Sequence, residues 1–243
     1  MNTEELFRDD ANLLTCEARI TAVGETGIEL DRTVFYPQGG GQAGDAGVLR
    51  RADGTELPVA DTRKGAEPGC ILHVPEAGAD LAGWQVGQPV TATIDAARRR
   101  AHRRFHTATH LLCALVPHPV DGCSITAGYA RLDFHMTEPL DKDVLTAGIA
   151  RLVAAAHPVR QRWISEAELD ANPGLVRSMS VQPPRSGTGQ GRVRLVEVVG
   201  VDLQPCGGTH VDNTAEIGAV VVTKIEKKSA KTRRVVLGFA SPS

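Results

Sequence analysis

A chain of 243 residues, 42% hydrophobic and 23% charged, has enough apolar material for one large core or two small ones and is neither disordered nor fibrous. Its formal charge of −2 provides no overall basic field, so a nucleic-acid partner must be met by local basic patches, and 4% aromatic residues leave little for a platform of stacked rings. No run approaches the roughly 18 apolar residues of a membrane span, and the opening MNTEELFRDD is too polar and acidic for a secretory leader. The five cysteines (16, 70, 113, 123 and 206) are odd in number and lack framework spacing, which points to a cytoplasmic protein using thiols in its core or on a metal.

In chain order, residues 12 to about 94 read as short strands: LLTCEARITAV, GIELDRTVFY, TELPVADT, CILHV and PVTATID, separated by Gly, Pro and Asp. That punctuation predicts a small β-barrel or sandwich. At Asp95 the texture changes. DAARRRAHRRFHTATHLLCALV keeps helical character for over twenty residues, with Asp95 as N-cap and Pro117 as the stop. A second helix is expected over about 139–156, a strand in PVRQRWIS, a short helix in SEAELDAN and one strand in RVRLVEVVGVDL. VQPPRSGTGQGR reads as a Pro/Gly-rich loop, and IGAVVVTKIEKKSAKTRRVVLGF as a closing β-hairpin. The fold class is α+β, with a barrel-like domain over 1–92 and an α+β domain over 93–243.

The long helix carries His106 and His110, which at i and i+4 lie on one face and can converge on a metal. At about 100° per residue, Ala101, Phe105, Ala108, Leu112 and Leu115 form an apolar stripe, and the two histidines fall nearly opposite it. The wheel does not choose between this pair and others, since His102 precedes His106 by four and Cys113 follows His110 by three. Further ligands come from QPCGGTH, where Gly207 and Gly208 let Cys206 and His210 face one point. Two histidines with a Cys/His pair make the tetrahedral N/S set that zinc prefers. No Glu follows His106, so the HExxH general base of metalloproteases is missing.

HTATHLL (106–112) followed by CGGTHVDNTAEIG (206–218) resembles the editing domain of alanyl-tRNA synthetase and its free-standing relatives, the AlaX proteins. FYPQGGGQAGDAG (35–47), YARLDF (129–134) and KIEKKSAKTRRV (224–235) extend the resemblance over nearly the whole chain, at the length of the medium-sized AlaX class. The resemblance implies that His106, His110, Cys206 and His210 hold zinc and that a nearby hydroxyl (Thr107, Ser124 or Thr126) reads the substrate. It implies hydrolysis of the aminoacyl ester of tRNA(Ala) mischarged with serine, or with glycine. A pocket for a methyl group discriminates against its neighbours by only about 1–3 kcal/mol, so a second sieve is needed, and one that hydrogen-bonds the serine hydroxyl spares alanine. The glycine-rich segment either shapes the barrel edge or stands at the site entrance, where Gln42 is the candidate polar reader; Arg99 and Arg103 on the histidine face, and Lys228 and Arg233 in the closing hairpin, are candidate tRNA contacts. The alternatives are a nucleic-acid-binding module with a structural Cys/His zinc, a small-molecule esterase, and editing of Ser-tRNA(Thr).

Overall fold

The computed structural model describes residues 2–179 and 191–240. They form an α+β protein whose chain divides into two compact units, Met1–Gly39 with Ala43–Arg100, and Gly40–Gln42 with Ala101–Ser243. The sequence placed a boundary at 92/93. This division falls later, inside the long helix, and assigns three residues of the glycine-rich segment to the second unit.

The first unit holds β1 (Glu4–Glu5), β2 (Thr15–Gly24), β3 (Gly27–Leu30), β4 (Arg32–Thr33), β5 (Gly47–Arg51), β6 (Glu56–Lys64), β7 (Ile71–Pro75) and β8 (Pro89–Ile94). Six of them close a barrel in the order β2-β3-β7-β6-β5-β8, while β1 and β4 pair in parallel outside it. Period-2 alternation fills the interior: Val90, Ala92 and Ile94 from β8 and Leu57 and Val59 from β6 point inward against Ile20, Ile28, Leu30 and Leu49. Each such burial is worth about 1.5–3 kcal/mol. The strand β5 was not expected, because Leu49 is its one fully buried residue and a run this short shows no period. The other surprise is Arg99. It sits at 1% exposure inside this unit, paired through its guanidinium with Asp45 and donating to the carbonyls of Val34 (2.6 Å) and Ala11 (3.0 Å). Its guanidinium is turned to these internal acceptors; the helical wheel put Arg99 on the histidine face but could not show what covers that part of the helix.

The helix α1 (Ala96–Leu115) starts where expected, with the Asp95 carboxylate accepting from Arg98 N–H at 3.0 Å, and ends two residues before Pro117. Then follow β9 (Val120–Ile125), β10 (Ala130–His135), α2 (Lys142–Ala154), β11 (Val159–Ser165), α3 (Glu166–Asp170), β12 (Arg192–Val198), β13 (Asp202–Pro205), β14 (Val220–Ser229) and β15 (Thr232–Phe239). Asp141 caps α2 by accepting from the N–H groups of Asp143 and Val144, which is why the helix begins after Pro139. The single strand expected over 192–203 is two, because the chain turns at Val199–Val201 and pairs back on itself. Most of the loop expected over 181–192 lies outside the described residues.

Antiparallel pairing gives a four-stranded sheet β14-β15-β10-β9 and a three-stranded sheet β11-β12-β13. Phe105, Ala108, Leu111 and Leu112 of α1 pack with Leu132, Phe134, Val235 and Leu237 of the larger sheet in one core. The apolar stripe read from the sequence packs into this core at Phe105, Ala108 and Leu112, with Ala101 and Leu115 only partly buried, and the opposite side of α1 is buried too. Among the described residues no helix is long and apolar enough to cross a membrane.

Candidate metal centre

Opposite that stripe, His106 and His110 meet Cys206 and His210, which leave the end of β13 on a short loop. All four are buried, and their ligand atoms lie within 4.8 Å of one another. Cys206 Sγ is 3.3 Å from His106 Nε2 and 3.2 Å from His210 Nε2. His102 and Cys113, the other choices the spacing allowed, are buried but stand outside this group.

Each imidazole is oriented by a bond from its other nitrogen. Gln42 Oε1 accepts from Thr209 N–H (3.0 Å), which identifies it as the oxygen, so the 2.8 Å contact with His106 Nδ1 requires that nitrogen to donate. His110 Nδ1 lies 2.9 Å from the Asp202 carboxylate, an acceptor only. The Thr107 hydroxyl spends its one proton on the Arg103 carbonyl (3.0 Å), so it accepts from His210 Nδ1 (3.2 Å) and from Val211 N–H (3.2 Å). Each ring thus commits its Nδ1–H to a protein acceptor and turns its Nε2 toward the thiol. This is how metal-ligating histidines are held.

The loop needs its glycine for space. A Cβ on Gly208 would stand 2.1 Å from His106 Cε1 and 2.8 Å from Gln42 Oε1. Its role is to let the His106 ring lie against bare backbone, rather than to supply a left-handed turn. Arg103 supports the loop's far end, its Nε donating to the His210 carbonyl at 2.6 Å.

The electrostatics favour a thiolate. Burial alone would raise the Cys206 thiol, but the charges of His106 and His210 beside it and hydrogen bonds from His106 and His110 hold it well below the ordinary thiol range. Burial and the neighbouring His106 charge hold His210 well below the ordinary imidazole value, against the pull of Cys206. His110 goes the other way: despite burial, Asp202 and Cys206 lift it to about 9. By contrast, burial pushes the Cys113 thiol up and leaves it inert. On release of the Nε2 protons that face Cys206 in the metal-free cluster, one thiolate and three imidazole nitrogens converging in a buried space can hold a divalent ion that favours N/S ligands.

The remaining candidates divide by position. Thr107 is at the cluster, fully buried. Ser124 pairs across strands with Arg131, and Cys123 with the core residue Leu132, so the serine lies on the opposite face of the sheet from Cys123. Thr126 follows Ile125, whose N–H donates to Gly41 O; its hydroxyl donates to Tyr129 O (3.0 Å) in an exposed turn. Gln42 is buried and faces His106 and Thr209. Arg103 and Arg233 are also buried, the latter donating to the carbonyls of Thr137, Ser229 and Thr232. Lys228 alone among the named cations is exposed, as are Lys224, Lys227 and Lys231 on the same hairpin. The residues not foreseen are Asp202, Gln204 and Arg194. The first two had a signal: in DLQPC, Asp202, Gln204 and Cys206 alternate and share one face of a strand.

Comparison with known proteins agrees with this constellation. Residues 193–236 match the family described as the threonyl and alanyl tRNA synthetase second additional domain, and residues 7–98 match class II (A) tRNA synthetases. The alanyl-tRNA editing protein AlaX-M of Saccharolobus solfataricus is 33% identical over 96% of this chain and 97% of its own length. That of Methanosarcina barkeri is 35% identical over the same shares. The alanine–tRNA ligase of Archaeoglobus fulgidus is 33% identical over 92% of this chain but only 24% of the ligase. Similarity that runs the length of both chains, and includes the segments that build the His/Cys cluster, settles kinship: this chain belongs to the AlaX-M family of alanyl-tRNA editing proteins.

Proposed function

We propose that the protein is a trans-editing deacylase that hydrolyses the ester of serine, or of glycine, wrongly attached to tRNA(Ala), with zinc at His106, His110, Cys206 and His210. The observation that carries this reading is the cluster itself: three imidazoles committed to Nε2 ligation beside a thiolate, in a chain alike over its full length to AlaX-M proteins. A tetrahedral zinc with bonds of about 2.0–2.1 Å to nitrogen and 2.3 Å to sulfur needs N···S separations of roughly 3.6 Å, close to the 3.2 and 3.3 Å found. Zinc bound there supplies a Lewis acid for the ester carbonyl or an anchor for the amino group.

The chain's own residues do the rest. Gln42, Asp202 and Thr107 keep three rings in the ligating tautomer. Thr107's hydroxyl is committed to buried partners, and Ser124 shares the sheet face of Arg131. That favours Thr126 as the reader of the serine hydroxyl, because its bond to Tyr129 O lies in an exposed turn beside the Gly40–Gln42 segment and a substrate can displace it. Phosphate contacts fall to Lys224, Lys227, Lys228 and Lys231, since Arg99, Arg103 and Arg233 are spent on internal acceptors. A closed set of four protein ligands also suits a structural metal in a tRNA-binding module. Incubating the protein with tRNA(Ala) charged with serine, glycine or alanine, and with Ser-tRNA(Thr), separates these. Deacylation of Ser-tRNA(Ala) far above the alanine rate supports editing, and no deacylation of any of the four leaves the binding module.

A further inference from the structure

We infer that Arg194 is a positioning residue for the metal centre, a cationic clamp that sets the shape of the loop presenting Cys206 and His210. The inference rests on the metal reading above. Arg194 is on β12, the middle strand of the three-stranded sheet, and is 4% exposed. Its Nη1 donates to two carbonyls of the ligand loop, Cys206 O at 2.9 Å and Gly208 O at 2.9 Å. Its own backbone carbonyl accepts from Cys206 N–H at 3.1 Å, so the first ligand residue is gripped at both its N–H and its C=O. The other arm, Nε, donates to Gln161 Oε1 on β11 at 2.7 Å, which fixes the guanidinium plane.

The geometry explains why an arginine stands here. Between β13 and the turn of helix at Thr214–Ile217 the chain is neither strand nor helix, so Cys206 O and Gly208 O are not taken up by a regular ladder. Both point inward, and a buried carbonyl needs a donor. One guanidinium nitrogen shared by two carbonyls fixes their separation, and with it the angle between the Cys206 and His210 side chains. A planar fork tied down at Nε does this; an ammonium on a flexible stem has no equivalent second anchor. With Arg103 on His210 O, alternate carbonyls of the loop (206, 208 and 210) are each held by a buried arginine.

The test is metal binding by the full chain, measured by competing zinc against a chelator, and the near-ultraviolet sulfur-to-cobalt absorption of the cobalt-loaded protein. Arg194→Met should bind zinc about 10–100-fold more weakly, the usual effect of losing a residue that supports a ligand, and should lose most of the sulfur-to-cobalt band at equal cobalt content. Arg194→Lys should fall between, and Gln161→Leu, which frees the guanidinium without removing it, should cost a few-fold. Melting of the metal-free proteins reports whether each variant folds; should Arg194→Met not fold, the Lys and Gln161 variants decide, and wild-type affinity in both overturns the clamp. A folded Arg194→Met that keeps wild-type affinity and an unchanged sulfur-to-cobalt band overturns it equally. A wild-type protein that takes up neither metal overturns the metal reading itself, a different result from a wild type that binds and a variant that binds as well.

Discussion

Replacing Asp202 with asparagine removes one negative charge and almost no volume beside His110. The carboxylate is wholly buried; its Oδ2 accepts from His110 Nδ1 at 2.9 Å and from Gln204 Nε2 at 2.8 Å, and Arg177 lies 4.0 Å from Oδ1. Burial would raise this carboxyl, but His110 and Gln204 hold it below the ordinary range, so the group that orients His110 is an anion. An asparagine has two ways to sit. With its oxygen toward His110 it keeps the ligating tautomer but exchanges a charged acceptor for a neutral one and turns its amide toward Arg177. With its nitrogen toward His110 it makes Nδ1 accept, which moves the proton to Nε2 and takes His110 out of the ligand set. The milder case is the difference between a charge-assisted hydrogen bond of about 1.5–3 kcal/mol and a neutral one of about 0.5–1.5 kcal/mol. That is about 1–2 kcal/mol, or roughly 5–30-fold in zinc affinity. Chelator competition at constant neutral pH reads this directly, with the exposed-pair variant Glu226→Gln as control. A folded Asp202→Asn protein with zinc affinity within two-fold of wild type would show that the carboxylate's charge does not hold His110 for the metal.

Three further outcomes are expected. Gly208→Ala places a methyl group on the His106 ring, so it should abolish stoichiometric zinc binding while the barrel still melts as in wild type. Thr126→Val should narrow the serine-to-alanine rate ratio about 10-fold with zinc content unchanged, and Thr126→Ser should restore it; an unaltered ratio in the valine variant assigns the reading elsewhere. His73, buried in the barrel between Thr33 and Ile28 O, is held down to about 4 by burial against its bond to Ile28. Its folded value lies below the ordinary 6.5, so its contribution is fully present above that pH and is lost as pH falls toward 4. The loss amounts to about 3 kcal/mol across this window. Denaturant titrations from pH 7.5 to 4, read by Trp84 in a Trp163→Phe background, should show that slope and its flattening in His73→Gln; parallel curves would contradict it.

What was legible in the sequence follows from where the physics is local. The start of α1 was readable because Asp95 caps it and Pro117 stops it, both within a residue or two of the helix. The barrel strands showed because alternation in PVTATI or ELPVAD is a property of neighbours. The four clustered side chains came from i, i+4 spacing on a helix and from a glycine loop, joined by the family resemblance. Which partner orients which of them was not legible, because Gln42 reaches His106 across 64 positions and Thr209 across 167. The arginines misled for a related reason: a basic run reads as a solvated face, yet Arg99 and Arg233 are consumed by carbonyls that only the folded chain brings to them. In β12 and β13 the apolar pattern ran straight through a turn, since Val199 and Val201 resemble strand residues on either side of Gly200.

The His/Cys cluster, loaded with zinc, is proposed to make this chain an editor of mischarged tRNA(Ala). The most direct test is the rate of deacylation of Ser-tRNA(Ala) and Ala-tRNA(Ala) by the zinc-loaded protein and by the same protein stripped of metal and then reconstituted. Rapid loss of serine, slow loss of alanine, collapse of the serine rate on stripping and its return with zinc are expected. Equal rates on the two charged tRNAs, or a serine rate that survives complete removal of the metal, would contradict this.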